Sequence, residues 1–288
     1  MDRFEAVETH GDNHVAGWVS TDDGARLWVD VHGRGRPLAL VHGWAVSAAF
    51  WRRQIALADR CQVVTLDLRG HGRSPSALRG NTVPRYARDV HDVLDGLGIE
   101  DAVLAGWSMG GSVVLEYWRE FGPDRLAGLG LIETCPHPMA AGPWNNHHFR
   151  DGNEAALNND LRRMTEDRER FGKEFVDSMF LSGQAPSHAL HWMLAEHLGV
   201  DTGTAAAVYR DYVRRDYTGV LPTVTIPTLC MYGRSRHMCY GASTGRFVAG
   251  SIPAARLALL ERSGHLPFYE EADLFNAEIT AFMQQLPG

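Results

Sequence analysis

The sequence predicts an α/β fold, a mostly parallel sheet with helices on both faces, interrupted by a helical insertion. Three observations carry that expectation. Short, nearly continuous apolar runs alternate with helix-period patterns, which is how strands buried on both faces of a parallel sheet read. A Gly-x-Ser-x-Gly pentapeptide, Gly106-Trp107-Ser108-Met109-Gly110, stands between one such run and a helical pattern. The alternation stops at Cys135-Pro136-His137-Pro138 and resumes near Ile226, and the stretch between is polar and helical.

The elements follow in order. Residues 25–31 alternate after Asp23-Gly24, a hairpin-turn signal. Residues 37–41 and 61–66 are apolar runs that end at His42-Gly43 and Asp67. Residues 48–57 and 83–97 carry a helical period, the second closing at Gly98. A strand at 102–105, a helix at 112–121 and a strand at 126–132 surround the pentapeptide. Helices are expected at 157–171 and 205–215, with no strand between them. The rhythm returns with a strand through 226–233, a helix at 241–248, a strand at 256–260 and a last helix at 271–284. The expected organisation is a core of residues 1–135 and 217–288 with a cap or lid of residues 136–216.

Composition excludes several classes. With 288 residues, 44 % hydrophobic and 22 % charged, the chain reads as an ordinary globular protein. Its 28 Lys and Arg against 35 Asp and Glu give −7, a balance that offers nothing to nucleic acid or an anionic membrane. The first twenty residues have no apolar core of the secretory kind, and no run is long enough to span a bilayer. Cys61, Cys135, Cys230 and Cys239 have no paired spacing and read as buried or idle thiols in a reducing cytoplasm.

The pentapeptide has a physical logic. A strand that reverses at once into a helix passes through strained backbone angles, and side chains at 106 and 110 would strike neighbouring elements. The turn lifts the Ser108 hydroxyl clear of the sheet, at a helix N-terminus where an oxyanion is stabilised.

Four motifs stand at strand ends: His42-Gly43-Trp44, Asp67-Leu68-Arg69-Gly70-His71-Gly72-Arg73-Ser74, Gly106 to Gly111, and Gly264-His265. Together they resemble the α/β-hydrolase superfamily over nearly the whole chain. Within it, the first and third resemble esterases that cleave the methyl ester of a carrier-bound acyl chain. Residues 212–233 resemble cofactor-free haloperoxidases and related esterases.

The resemblance implies a serine hydrolase acting on a carboxylic ester, thioester or lactone through an acyl-enzyme. Ser108 would be the nucleophile and His265 the base, with the backbone N–H groups of Trp44 and Met109 as oxyanion donors. The Trp44 and Met109 side chains, with Trp107, Trp144 and Trp192, are expected in the substrate pocket. Phe149, Phe175, Met179, Phe180 and Met193 are further candidates for the underside of the lid. His42 and the 67–74 loop are expected to be scaffold.

The chain departs from the family at the acid. Relatives carry Asp at the third position beyond the glycine of Tyr232-Gly233, where this chain has Arg236, which cannot accept the imidazole N–H. Glu133, ending the 126–132 strand, is the expected substitute, with Asp216 a weaker alternative. Asp201 and Asp211 are expected to be solvated, and Glu261 is disfavoured by geometry.

Two alternatives stay open at this point. A carrier-protein acyl thioesterase would use Arg162, Arg163, Arg168, Arg170, Arg214 and Arg215 to receive an acidic partner. A catalytically weak ligand-binding receptor of the same fold would explain the missing acid. The chemistry needs no cofactor, and no metal is expected, since His147-His148 and the set His188, His191, His197 have no carboxylate or cysteine to complete a site.

Overall fold

Strand polarity along the chain accounts for the sheet. The computed structural model describes residues 3–76, 79–235, 237–238 and 240–287. Among these, nine strands form one sheet in the order β1-β2-β3-β5-β4-β6-β7-β8-β9. β1 (Phe4–Thr9), β2 (His14–Ser20) and β3 (Arg26–His32) are consecutive antiparallel strands, and β3 also runs antiparallel to β5 (Gln62–Leu66). β4 (Pro37–Val41), β5, β6 (Ala102–Trp107), β7 (Leu126–Ile132), β8 (Thr228–Tyr232) and β9 (Ala255–Leu259) are parallel. β1 is an edge, and its charges discourage pairing with another chain: Glu5 meets Arg26 at 2.5 Å and Glu8 meets Arg73 at 2.9 Å.

Both faces of the parallel region are covered, and the strands alternate between two apolar clusters. Ala39, Val41 and Leu104 join the layer containing α1 (Val83–Gly96) and α2 (Met109–Phe121). Leu38, Leu40, Val103 and Trp107 face Phe50, Trp51 and Phe275 on the other side. β4 and β7 fall on the residues expected for them.

Several elements differ from expectation for local reasons. Residues 48–57 form two 3-10 segments, Ala48–Arg53 and Ile55–Asp59, in place of one helix. The helix expected at 157–171 is two, α3 (Glu154–Glu166) and α4 (Arg168–Met179). Asp167 breaks it, leaving helical angles and capping α4 through the Arg170 amide at 3.0 Å. An unanticipated helix, α5 (Ser187–Gly199), precedes α6 (Thr202–Val213). The apolar residues of α5 are spread around its circumference, so no stripe announces it. After β8 come α7 (Ala242–Ser251), α8 (Pro267–Glu270) and α9 (Ala272–Gln285).

The helices α5 and α6 dock on the loop after β4. The Trp44 indole N–H donates to the Ala205 carbonyl at 2.8 Å, the His197 Nδ1 meets the Ala45 carbonyl at 3.1 Å, and the Ser47 hydroxyl bonds to Glu196. His42 ties that loop to the next: its Nδ1 lies 2.8 Å from the Gly43 carbonyl and its Nε2 accepts the Leu68 amide at 2.9 Å. Burial lowers its pKa to about 3, so it is a neutral structural bridge. Cys61, Cys135 and Cys230 are buried, whereas Arg236 and Cys239 lie outside the described residues. No described helix is long and apolar enough to cross a membrane.

Candidate active site

Ser108 stands between β6 and α2 with φ 57° and ψ −120°, angles that an L-residue adopts only under strain. A Cβ at Gly106 would lie 2.1 Å from the Gly110 carbonyl oxygen, and one at Gly110 would lie 2.4 Å from that of Val41. The elbow is pinned from β7: the Ser108 amide donates to the Ile132 carbonyl at 2.9 Å and the Thr134 hydroxyl donates to the Ser108 carbonyl at 2.8 Å. Gly43 brings the loop after β4 against the same turn, since a Cβ there would come within 3.4 Å of the Ser108 Cβ.

His265 reaches this place through backbone contacts. Its amide donates to the Met179 carbonyl at 2.7 Å, and its carbonyl accepts the Trp107 indole N–H at 2.8 Å. The Trp107 ring lies 5.2 Å from the imidazole. Nδ1 of His265 lies 3.1 Å from Oε2 of Glu133, and both side chains are almost fully buried. The other oxygen, Oε1, accepts the Gly233 amide at 2.7 Å. Glu133 is itself at φ 42°, so the strand end is bent at the carboxylate.

The other acids are engaged elsewhere. Asp216 accepts from the Thr218 amide and hydroxyl at 2.8 and 2.6 Å and is half exposed. Asp201 caps α6, Asp211 accepts the Val83 amide at 2.9 Å and pairs with Arg215, and Glu261 pairs with Arg234 at 2.8 Å. Asp201 is exposed, as expected, while it caps α6, whereas Asp211 is largely buried and built into the fold, contrary to the expectation that it is solvated.

A cavity of about 450 Å³ opens at Ser108. Trp44, Phe171, Phe175, Tyr209, Tyr212 and Tyr240 line it, with Trp44 packed on Tyr209 at 4.5 Å between ring centroids. The Tyr240 ring lies flat on His265, 4.7 Å between centroids and 10° from parallel. Its hydroxyl is 2.6 Å from that of Tyr212, whose pKa burial pushes far above the usual tyrosine value. His147 and His148 stack at 5.0 Å and line the cavity together.

The remaining pocket expectations need correction. Trp107 is buried beneath the elbow, 5.5 Å from Phe50 and 4.9 Å from Phe268, because its indole braces the His265 loop. Trp144 stacks on Phe247 at 4.1 Å. Trp192 lies under Arg52, whose guanidinium is 3.6 Å from its ring, and packs on Phe50. The Met109 side chain is core, as are Phe149, Met179, Phe180 and Met193, and of the apolar candidates for the underside of the lid only Phe175 reaches this cavity. Sequence reasoning missed Tyr212, Tyr240, Thr134 and Glu270. Glu270 accepts the Gly264 amide at 2.7 Å and the Leu181 amide at 3.1 Å, anchoring the histidine loop, and burial raises its pKa. No spacing signal marks these residues, since each acts through a distant partner.

The model of the alpha/beta hydrolase fold family matches residues 36–272. The chain belongs to the α/β-hydrolase family. This α/β-hydrolase is 29 % identical over 279 residues to a non-heme chloroperoxidase of Kitasatospora aureofaciens, covering 92 % of this chain and 98 % of that one. It is 27 % identical to a bifunctional esterase/perhydrolase of Acinetobacter calcoaceticus, covering 93 % and 99 %. A bromoperoxidase structure from Bacillus anthracis shares its fold with a TM-score of 0.86 at 23 % identity, covering 94 % of this chain and all 100 % of that one. The α/β-hydrolase is an enzyme of the hydrolase class.

Proposed function

We propose that this α/β-hydrolase is a serine esterase acting through an acyl-enzyme, with Ser108 as nucleophile, His265 as base and Glu133 as acid. One observation carries the reading: a buried imidazole has its Nδ1 on a buried carboxylate 3.1 Å away, and its loop is bonded to Trp107, the residue before a serine held at a strained elbow. With Nδ1–H donated to Glu133, Nε2 is the nitrogen left to take a proton. It removes the Ser108 proton as Oγ attacks the ester carbonyl. The Met109 and Trp44 backbone N–H groups hold the oxyanion, aided by the N-terminus of α2. His265 then protonates the departing alkoxide and deprotonates a water, whose attack on the acyl-enzyme releases the acid and restores Ser108. None of these steps needs a cofactor.

We take residues 136–216 as the lid and residues 1–135 and 217–288 as the core it covers. The cavity of about 450 Å³ with its aromatic wall suits a small acyl or aryl ester. Thioesters and lactones would follow the same chemistry. A carrier-protein partner is disfavoured, because the arginines that would receive it are already paired: Arg162 with Glu166 at 2.5 Å, Arg170 with Glu174 at 3.1 Å, and Arg214 with Glu154 at 2.7 Å. Arg168 is turned inward to the His197 carbonyl at 2.9 Å.

The test is a panel of p-nitrophenyl esters, acyl thioesters and lactones on wild type and Ser108→Ala. The variant is expected to lose roughly 10⁴ to 10⁶ in kcat. Retention of that activity would remove Ser108 as the nucleophile, whereas failure of a fluorophosphonate to label Ser108 in a protein that binds apolar ligands tightly would favour the receptor reading.

A further inference from the structure

We propose that His14, Asp30 and His32 form a binding site for a divalent transition-metal ion of the zinc type. The site lies on β2 and β3, which carry none of the candidate catalytic groups. The antiparallel register places His14 opposite His32, and their rings stack at 4.0 Å, 10° from parallel. Asp30 is two residues before His32 and so shares its face of the strand. Oδ1 of Asp30 lies 2.7 Å from Nε2 of His14 and 2.9 Å from Nε2 of His32. Three donor atoms from three side chains therefore converge on one point, all within 4.8 Å of one another.

Two imidazoles and a carboxylate are a zinc donor set, with an open fourth position. Bonds of roughly 2.0–2.1 Å in tetrahedral geometry would spread the ligand atoms to about 3.3 Å. Loading the site thus needs the two short contacts to open by about half an ångström, which small side-chain rotations supply while the backbone ladder stays paired. The three side chains are 19–33 % exposed, so an ion can enter. His10 stacks on His14 at 5.1 Å and helps hold its ring. Asp30 and His32 also line a cleft of about 600 Å³ containing Ser47, Asp67 and Glu196, into which the fourth coordination position can open for water. A bound ion would clamp β2 to β3.

Titration of the chelator-treated protein with zinc alone, followed by calorimetry, tests this. One ion per chain with Kd of about 10 μM or tighter is expected. Asp30→Asn should weaken it about 10-fold, and His14→Ala with His32→Ala should abolish it. Saturating zinc should raise the Tm of wild type by about 5 °C and leave the double variant unchanged. His14→Gln with His32→Gln, with circular dichroism reporting the fold, separates lost ligation from lost folding. His188→Ala with His191→Ala should bind as wild type does. No uptake by wild type, undiminished uptake in folded variants at positions 14 and 32, or uptake lost only with His188 and His191 would each overturn the site.

Discussion

Glu133 is held from two sides, by the His265 imidazole and by the Gly233 amide 2.7 Å from its second oxygen. Glu133→Gln keeps the shape, but its amide nitrogen must oppose either the Gly233 N–H or the Nδ1 proton. The expected outcome is a loss of roughly 10³ to 10⁴ in kcat with little change in Tm, read by steady-state kinetics and thermal denaturation. Tyr240 acts by position: its ring lies flat on the imidazole while its hydroxyl is tied to Tyr212 on α6. Tyr240→Phe keeps the ring and should stay within about threefold of wild type. Tyr240→Ala releases the imidazole and should lower kcat by about 10- to 100-fold, with a smaller change in KM. Equal effects of the two substitutions would assign the role to the hydroxyl.

The loop between β5 and α1 shows how a connecting segment is made rigid. Asp67 accepts the Ala48 and Arg73 amides, each at 2.8 Å, binding one loop to the next. Arg69 grips Asp89 of α1 with two bonds at 2.9 and 2.7 Å and reaches Asp23 with two more at 2.8 Å. The Arg69 side chain is 4 % exposed and that of Asp89 is fully buried. Arg69→Met would leave that carboxylate with Arg85 alone, at 2.9 Å. A loss of about 3 kcal/mol is expected in urea denaturation, the lower end of the range for breaking a buried pair. Ser108→Ala touches no such network and should leave stability near wild type.

Buried ionisable groups make the stability of the molecule pH-dependent. Burial lowers His42 to about 3, His71 to about 4 and His197 to about 3. Each is neutral when folded but takes a proton near pH 6.5 when unfolded, so stability is complete above pH 6.5 and is lost as pH falls towards 4. Asp67 works against this: burial raises it to about 6, so the folded state takes up its proton first as pH drops. Glu270 and Asp89, also raised by burial, side with Asp67 and offset part of the histidine contribution. Unfolding free energy measured by urea is expected to fall by up to about 3 kcal/mol between pH 7.5 and 5.5. A flat profile would mean that these histidines are charged or solvated in the fold.

Strand–helix alternation was legible because apolar runs and helix periods are local, and β4 and β7 lie where they were expected. The elbow was legible for the same reason, since a serine between two obligatory glycines is a constraint written in five consecutive residues. Local pattern also failed locally: Asp167 splits a helix by capping, and α5 shows no stripe. The tryptophans could not be placed, because an indole reads the same whether it braces a loop, as Trp107 does, or faces a cavity, as Trp44 does. The sequence could name Glu133 and His265 as partners, but the contact joins residues 132 positions apart and rests on β7 lying between β6 and β8. The Tyr240 stack and the arrival of His14 beside Asp30 and His32 had no sequence signal. Both arise from register and packing, which bring together side chains that no spacing along the chain relates.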